Sequence, residues 1–184
     1  GATLREALPT VIREVEPGER LSLSGGCEIE AAKVPHTAES VAYSIAAPGR
    51  RVVISGDTGL DPAFAGWAAQ CDLLVLECSL PDALAIPSHL TPRQCGEVAA
   101  TARPGLLALT HFYPPVEEVD IDGQVAERFD GRIHRHPHEG SQSSVDGQHD
   151  RLRRLGDREH IGRLLRAVAG ISTLRRDNGR RTRA

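Results

Sequence analysis

Arg51-Val52-Val53-Ile54-Ser55-Gly56-Asp57-Thr58 is the stretch on which the reading of the fold turns. A β-branched run that ends in Gly-Asp-Thr delivers a carboxylate, Asp57, at the carboxyl end of a strand. Leu106-Leu107-Ala108-Leu109-Thr110 delivers His111 in the same way, and Ala31-Ala32-Lys33-Val34 runs into Pro35-His36-Thr37. Imidazole nitrogen and carboxylate oxygen both suit zinc and related divalent ions. Three strand ends that each carry such a ligand predict a metal site at one edge of a sheet. Such a site points to hydrolysis by metal-activated water.

The surrounding sequence extends the same pattern from Glu19 to about Ile133. Glu19 to Leu23 follows the turn signal Pro17-Gly18, and Ser24-Gly25-Gly26 turns the chain into a strand from Cys27 to Val34. Val41 to Ala46 reads as another strand, closed by Pro48-Gly49 before the strand that reaches Asp57. Asp61-Pro62 opens a helix expected to run through Ala69, with Asp61 as its cap. Asp72-Leu-Leu-Val-Leu-Glu77 is too short an apolar run for a helix and suits a buried strand. Thr91-Pro92-Arg93-Gln94 carries a capping box and predicts a helix to about Ala102, ended before Pro104-Gly105. A last strand is expected at Gly131 to His134. Strands alternating with helices predict an α/β sheet covered by helices.

Composition bounds the alternatives. The 184 residues suffice for one domain with a core, and 40% hydrophobic content suits a globular protein. No apolar run approaches the length of a membrane span, so no membrane association is expected. Gly1 to Thr10 has no basic region followed by an apolar one, and Cys27, Cys71, Cys78 and Cys95 form no CxxC pair. Reduced, mostly buried thiols and a cytoplasmic location are the expectation. The net charge of −3 hides an asymmetry: residues 151–184 hold eleven arginines against Asp157, Glu159 and Asp177. Residues 1–138 read as one folded unit. Residues 139–184 read as a basic tail with one amphipathic helix through Ile161, Leu164, Leu165, Val168 and Ile171, otherwise disordered.

Five segments, taken in order, carry a resemblance. They are His36-Thr-Ala-Glu-Ser-Val-Ala-Tyr43, Ser55-Gly56-Asp57-Thr58, Asp72 to Glu77, Ser88-His89-Leu90-Thr91 and Leu109-Thr110-His111-Phe112-Tyr113-Pro114. Together they resemble the metallo-β-lactamase superfamily, in its branch of ribonuclease Z and related phosphodiesterases. The resemblance covers roughly residues 10–135. It implies an αββα sandwich with two divalent metal ions, usually zinc, although mixed His/Asp ligation also accommodates manganese or iron. It implies that His36 and His111 are terminal ligands of the two ions and that Asp57 bridges them. A hydroxide shared by the ions would attack phosphorus. Glu77 would orient His89, and His89 would protonate the departing oxygen or stabilise its charge.

Two departures qualify what the resemblance implies. The family's His-x-His-x-Asp-His motif belongs before His36, and the 35 residues preceding His36 contain no histidine. The expectation is therefore the carboxyl-terminal half of the sandwich, with His36, Asp57 and His111 as its share of the ligands. The arginine-rich tail is the second departure, either a genuine extension or out-of-frame translation. The expected substrate is a phosphodiester, either a tRNA precursor or a cyclic nucleotide. Ribonuclease Z often carries a tRNA-gripping arm between the positions of His36 and Asp57, where this chain has no long insertion, which favours a small substrate.

Blander readings stand beside these. Gly-Asp-Thr is ordinary turn chemistry, and each histidine taken singly reads as a strand-end residue. Glu77 could face solvent, and His89 could merely precede a capped helix. Ser40 and Tyr43 read as packing residues. His134, His136 and His138 alternate along one face of a strand, read as a solvent-facing edge. A half-sandwich could also be non-catalytic and pair through its uncovered apolar face, as a homodimer. The basic tail could hold RNA phosphates electrostatically.

Overall fold

The computed structural model describes residues 13–135. They form one seven-stranded sheet in which spatial order follows chain order: β1 (Arg20–Leu23), β2 (Cys27–Lys33), β3 (Val41–Ala47), β4 (Arg50–Ile54), β5 (Leu73–Glu77), β6 (Leu106–Thr110) and β7 (Ile133–Arg135). The first four strands pair antiparallel, and β4 to β7 pair parallel. Two successive reversals make β2 run in the same direction as β4, and β5, β6 and β7 follow β4. The carboxyl ends of β2, β4, β5 and β6 therefore share one edge of the sheet.

Helices α1 (Pro62–Trp67), α2 (Pro92–Ala102), α3 (Pro114–Glu117) and α4 (Ile121–Ala126) lie in the crossovers between the parallel strands. Each crossover steps one strand in the same direction. With the right-handed connection that twisted strands favour, every crossover helix falls on the same face. The main core bears this out: Val53, Leu74, Leu76, Leu107 and Leu109 pack against Phe64, Ala68, Val98, Ala99, Ala102, Ile121 and Val125. The alternate residues Val52, Leu73, Leu106 and Ala108 form a smaller cluster on the opposite face. β5 and β6 are thus apolar on both faces, which is why they read as uninterrupted hydrophobic runs. On that second face, towards the functional edge, Ile54 and its cross-strand partner Tyr43 are exposed.

Local chemistry sets the helix ends. Thr91 Oγ1 accepts from Gln94 N and Gln94 Oε1 accepts from Thr91 N, the expected capping box, and Arg103 ends α2 in the left-handed region. Asp61 caps α1 as expected, but α1 stops at Trp67, two residues short of Ala69. Arg51 on β4 explains the stop. Its guanidinium donates to the carbonyls of Trp67 (2.6 Å) and Ala69 (3.0 Å), and Gln70 turns away at φ +56°. The final strand begins two residues later than expected and places His134 on the sheet's outer strand. His136, His138 and the basic tail lie outside the described residues.

All four cysteines are free and buried. Burial pushes the Cys71 thiol up to about 11, and burial together with its hydrogen bond to Cys78 raises Cys95 well above the ordinary range. Cys71 and Cys95 are packing residues with little thiolate.

Gly96 shows the tightness of the helical layer. A Cβ at this position of α2 would stand 2.6 Å from the Val125 carbonyl oxygen of α4. Alanine is the better helix former by about 1 kcal/mol, whereas forcing an atom against backbone costs about 1–3 kcal/mol. Sterics should win. Gly96→Ala is expected to lower the denaturation midpoint in urea, and a midpoint above the wild type would mean that α4 moves away freely.

Candidate functional site

His36, Asp57, Glu77, His89 and His111 were singled out from sequence, and the structure gathers all five at the shared strand edge. Asp57 is held by a turn that only a permissive residue allows: Gly56 sits at φ +60°, where L side chains are strained. The two carboxylate oxygens of Asp57 face different histidines. Oδ1 lies 3.4 Å from His111 Nε2, and Oδ2 lies 4.0 Å from His36 Nε2.

The neighbours of each histidine fix its orientation. His36 Nδ1 is 2.9 Å from the Ser88 carbonyl oxygen, so it donates there and leaves Nε2 towards Asp57. That contact depends on Gly59. A Cβ there would stand 1.8 Å from the Pro87 carbonyl oxygen, and Gly59 N donates to Pro35 O at 2.8 Å. The glycine lets the 86–88 segment close over the turn and present Ser88 to His36. His111 follows β6 with φ +62°, an uncommon conformation for a residue with a side chain. Its Nε2 is buried and makes no hydrogen bond, despite its 3.4 Å approach to Asp57.

Behind His36, Asp57 and His111, Glu77 is 1% exposed and His89 is 7% exposed. Glu77 Oε1 accepts from His89 Nδ1 (2.9 Å) and Thr58 N (2.6 Å); Oε2 accepts from Ser79 Oγ and Leu90 N (3.2 Å). Neither bland reading holds: Glu77 does not face solvent, and His89 is more than a residue preceding a helix. The His89 ring packs against both His36 and His111, its centroid 4.7 Å from that of His36 and 5.7 Å from that of His111. Tyr113 closes the cluster with its ring 5.1 Å from His111 and 5.7 Å from His89.

The residues present suit divalent ions. Zinc binds nitrogen and oxygen at about 2.0–2.2 Å, so two donors on one tetrahedral ion stand about 3.3–3.5 Å apart. The His111–Asp57 pair already meets that spacing, and the His36–Asp57 pair is wider. The orphaned Nε2 of His111 is the donor such an ion would satisfy. Each side of Asp57 offers one histidine and one carboxylate oxygen. Among the described residues, no three such side chains converge closely enough to hold a single ion. A cavity of about 220 Å³ lined by Ser55, Asp57, Glu77, Thr110 and His111 opens beside them.

Three features of the site escape sequence reading. The shared carboxylate contacts of Ser79 and Thr58 carry no motif. The need for glycine at position 59 appears only when Pro87 is seen against it. The left-handed backbone at His111 had no Gly or Asn to signal it.

The fold is thus an α/β one: a mixed sheet with its crossover helices on one face, and His36, Asp57 and His111 beyond the carboxyl ends of β2, β4 and β6 at one edge. The profile described as Beta-lactamase superfamily domain matches residues 2–112, and the chain belongs to the metallo-β-lactamase superfamily. An uncharacterized protein of Mycobacterium tuberculosis is 33% identical over 104 residues, covering 55% of this chain and 38% of that protein. Ribonuclease Z of Brevibacillus brevis is 40% identical over 79 residues, covering 41% and 25%. The chain thus spans well under half the length of these curated relatives. Among solved structures, the metallo-β-lactamase fold protein YhfI of Bacillus subtilis superposes with a TM-score of 0.59 at 23% identity, covering 66% of this chain and 51% of that one. That likeness is one of fold.

Gly59→Ala should disturb the site from behind the ligands. It is expected to cost about 1–3 kcal/mol by overpacking and to weaken Zn²⁺ binding in a calorimetric titration. Wild-type stability together with wild-type metal affinity would show that the Pro87 segment yields without moving His36.

Proposed function

We propose that this chain belongs to a metal-dependent hydrolase of phosphodiester bonds. The observation that carries the reading is the division of Asp57 between His36 and His111, with the Glu77–His89 pair packed directly behind. His36, Asp57 and His111 would hold two divalent ions, zinc before manganese or iron. Bound there, such ions supply Lewis acidity to phosphate oxygens and a water of lowered pKa. Asp57 would serve both ions, since one of its oxygens faces His36 and the other His111. Glu77 accepts the Nδ1 proton of His89 and so commits the opposite ring nitrogen, Nε2, to the substrate side. As the imidazolium, with hydrogen on both nitrogens, His89 would give its Nε2 proton to the departing oxygen and be left neutral with hydrogen on Nδ1. The kinship with ribonuclease Z supports phosphodiesters as the substrate class.

Within that class, the chain between His36 and Asp57 favours a small substrate such as a cyclic nucleotide over a tRNA precursor. It holds only β3, the tight turn at Pro48-Gly49 and β4. The segment that enters the functional edge is closed on itself. Thr37 N donates to Ser40 Oγ at 3.1 Å, and Lys33 Nζ donates to the carbonyls of Thr37 (2.9 Å) and Ala38. A loop tied this way offers no arm to grip RNA. The buried thiols agree with a cytoplasmic setting, and no described helix is long and apolar enough to cross a membrane.

The test compares the 184-residue chain with Asp57→Ala and His89→Ala on bis(p-nitrophenyl) phosphate, 3′,5′-cyclic AMP and a tRNA precursor, each with Zn²⁺ or Mn²⁺. Asp57→Ala should lose both turnover and metal binding. His89→Ala should keep metal and lose about a hundredfold or more in kcat, the usual worth of a placed proton donor. Turnover of the cyclic nucleotide but not the tRNA precursor would place the substrate in the small class. Absence of turnover on every phosphodiester with either metal would defeat the reading.

A further inference from the structure

We infer that Ser79 is a positioning residue for His89, the hydroxyl that fixes which ring nitrogen faces the substrate. The catalytic meaning of this inference rests on the hydrolase reading; its geometry does not. Ser79 is fully buried, so its hydroxyl cannot reach a substrate and acts only through its neighbours. It ties together the segments that build the site. Its N–H donates to the Leu90 carbonyl at 3.0 Å, and its own carbonyl accepts from Tyr113 N at 3.2 Å. Its Oγ reaches both members of the buried pair, donating to Glu77 Oε2 and lying 3.4 Å from His89 Nδ1.

Counting protons assigns the roles. Glu77 Oε1 stands 2.9 Å from His89 Nδ1, and a carboxylate oxygen at that distance needs a hydrogen on the nitrogen. Ser79 has a single hydroxyl proton. Directed at Nδ1, it would meet a nitrogen that already carries hydrogen; directed at Oε2, it completes an acceptor. The second arrangement also turns the serine lone pairs towards Nδ1–H. Ser79 and Glu77 therefore favour the same tautomer, with hydrogen on Nδ1 and Nε2 left to exchange a proton on the substrate side.

The hydroxyl also locks the carboxylate against rotation. Oε2 is otherwise held only by Leu90 N, at 3.2 Å. Without Ser79, the carboxyl group can swing about its terminal bond, a broad two-fold torsion. Oε1 would then leave Thr58 N and His89 Nδ1 together. Thr58 adjoins Asp57, so the loss would reach the metal ligands as well as the proton donor.

The experiment uses the 184-residue chain with ¹⁵N-labelled histidine, as wild type, Ser79→Ala and Ser79→Cys. Histidine NMR reads the Nδ1–H resonance of His89, which a buried carboxylate acceptor should hold at low field and in slow exchange. Steady-state kinetics on bis(p-nitrophenyl) phosphate with Mn²⁺ read kcat and KM separately. In Ser79→Ala the Nδ1–H resonance should move upfield or broaden. Its kcat should fall about tenfold or more with KM within about twofold, the scale expected when an orienting partner is lost. Ser79→Cys keeps a weak donor of similar shape and should fall between the two. It carries the comparison should the alanine variant fail to fold. A resonance and kcat that both match the wild type, whatever the melting temperature, would overturn the inference and leave Ser79 a packing residue. A wild type that hydrolyses no phosphodiester defeats the hydrolase reading instead, and the resonance alone then decides whether Ser79 holds His89.

Discussion

Glu77 is a carboxylate with 1% of its surface exposed, and the loops around it are placed to supply its donors. Taking a carboxylate out of water costs several kcal/mol unless hydrogen bonds replace the lost hydration. Here four do so, from three stretches of chain: Thr58 N beyond β4, Ser79 Oγ beyond β5, and the His89 ring with Leu90 N ahead of α2. No one of these stretches can move without unpairing the others. His36, Asp57 and His111 inherit that rigidity. Asp57 precedes Thr58 in the chain, and His36 hangs from the carbonyl of Ser88, the residue before His89. His111 is packed against His89 and Tyr113, whose N–H is tied to Ser79. The placing of His36, Asp57 and His111 is therefore a consequence of how one buried acid is satisfied.

How much of this the sequence discloses follows from the range of the forces involved. The capping box at Thr91, the cap at Asp61 and the strands that lead to Asp57, Glu77 and His111 are local or periodic features, and all are read correctly from neighbours in the chain. The early end of α1 is not, because the carbonyls that end it are taken by Arg51, sixteen and eighteen residues away. The same holds at Gly59, whose requirement comes from Pro87, and at Ser79, whose partners are set by the meeting of three loops. That His36, Asp57, Glu77, His89 and His111 would share one edge was legible because each follows or ends a recognisable segment. Their supports were not, since support is a property of contact and leaves no spacing to read.

Strand polarity decides which chemistry can meet at all. β3 reverses the chain twice, once on each side, and so returns β4 to the direction of β2. With a single reversal His36 and Asp57 would stand at opposite edges of the sheet, some five residues of strand apart. Parallel crossovers then keep β5 and β6 in register with β4, so Glu77 and His111 arrive at the same edge as Asp57. Helices on one face leave that edge flanked by loops alone, and loops can bend towards a common point. The left-handed turn at His111 completes the convergence by aiming a donor with no hydrogen-bond partner at Asp57. A polar atom buried without a partner costs about 1–3 kcal/mol, and a strained backbone about as much. The fold tolerates both at one residue, beside a carboxylate divided between two histidines, so the packing of His89 and Tyr113 against the His111 ring has to offset them.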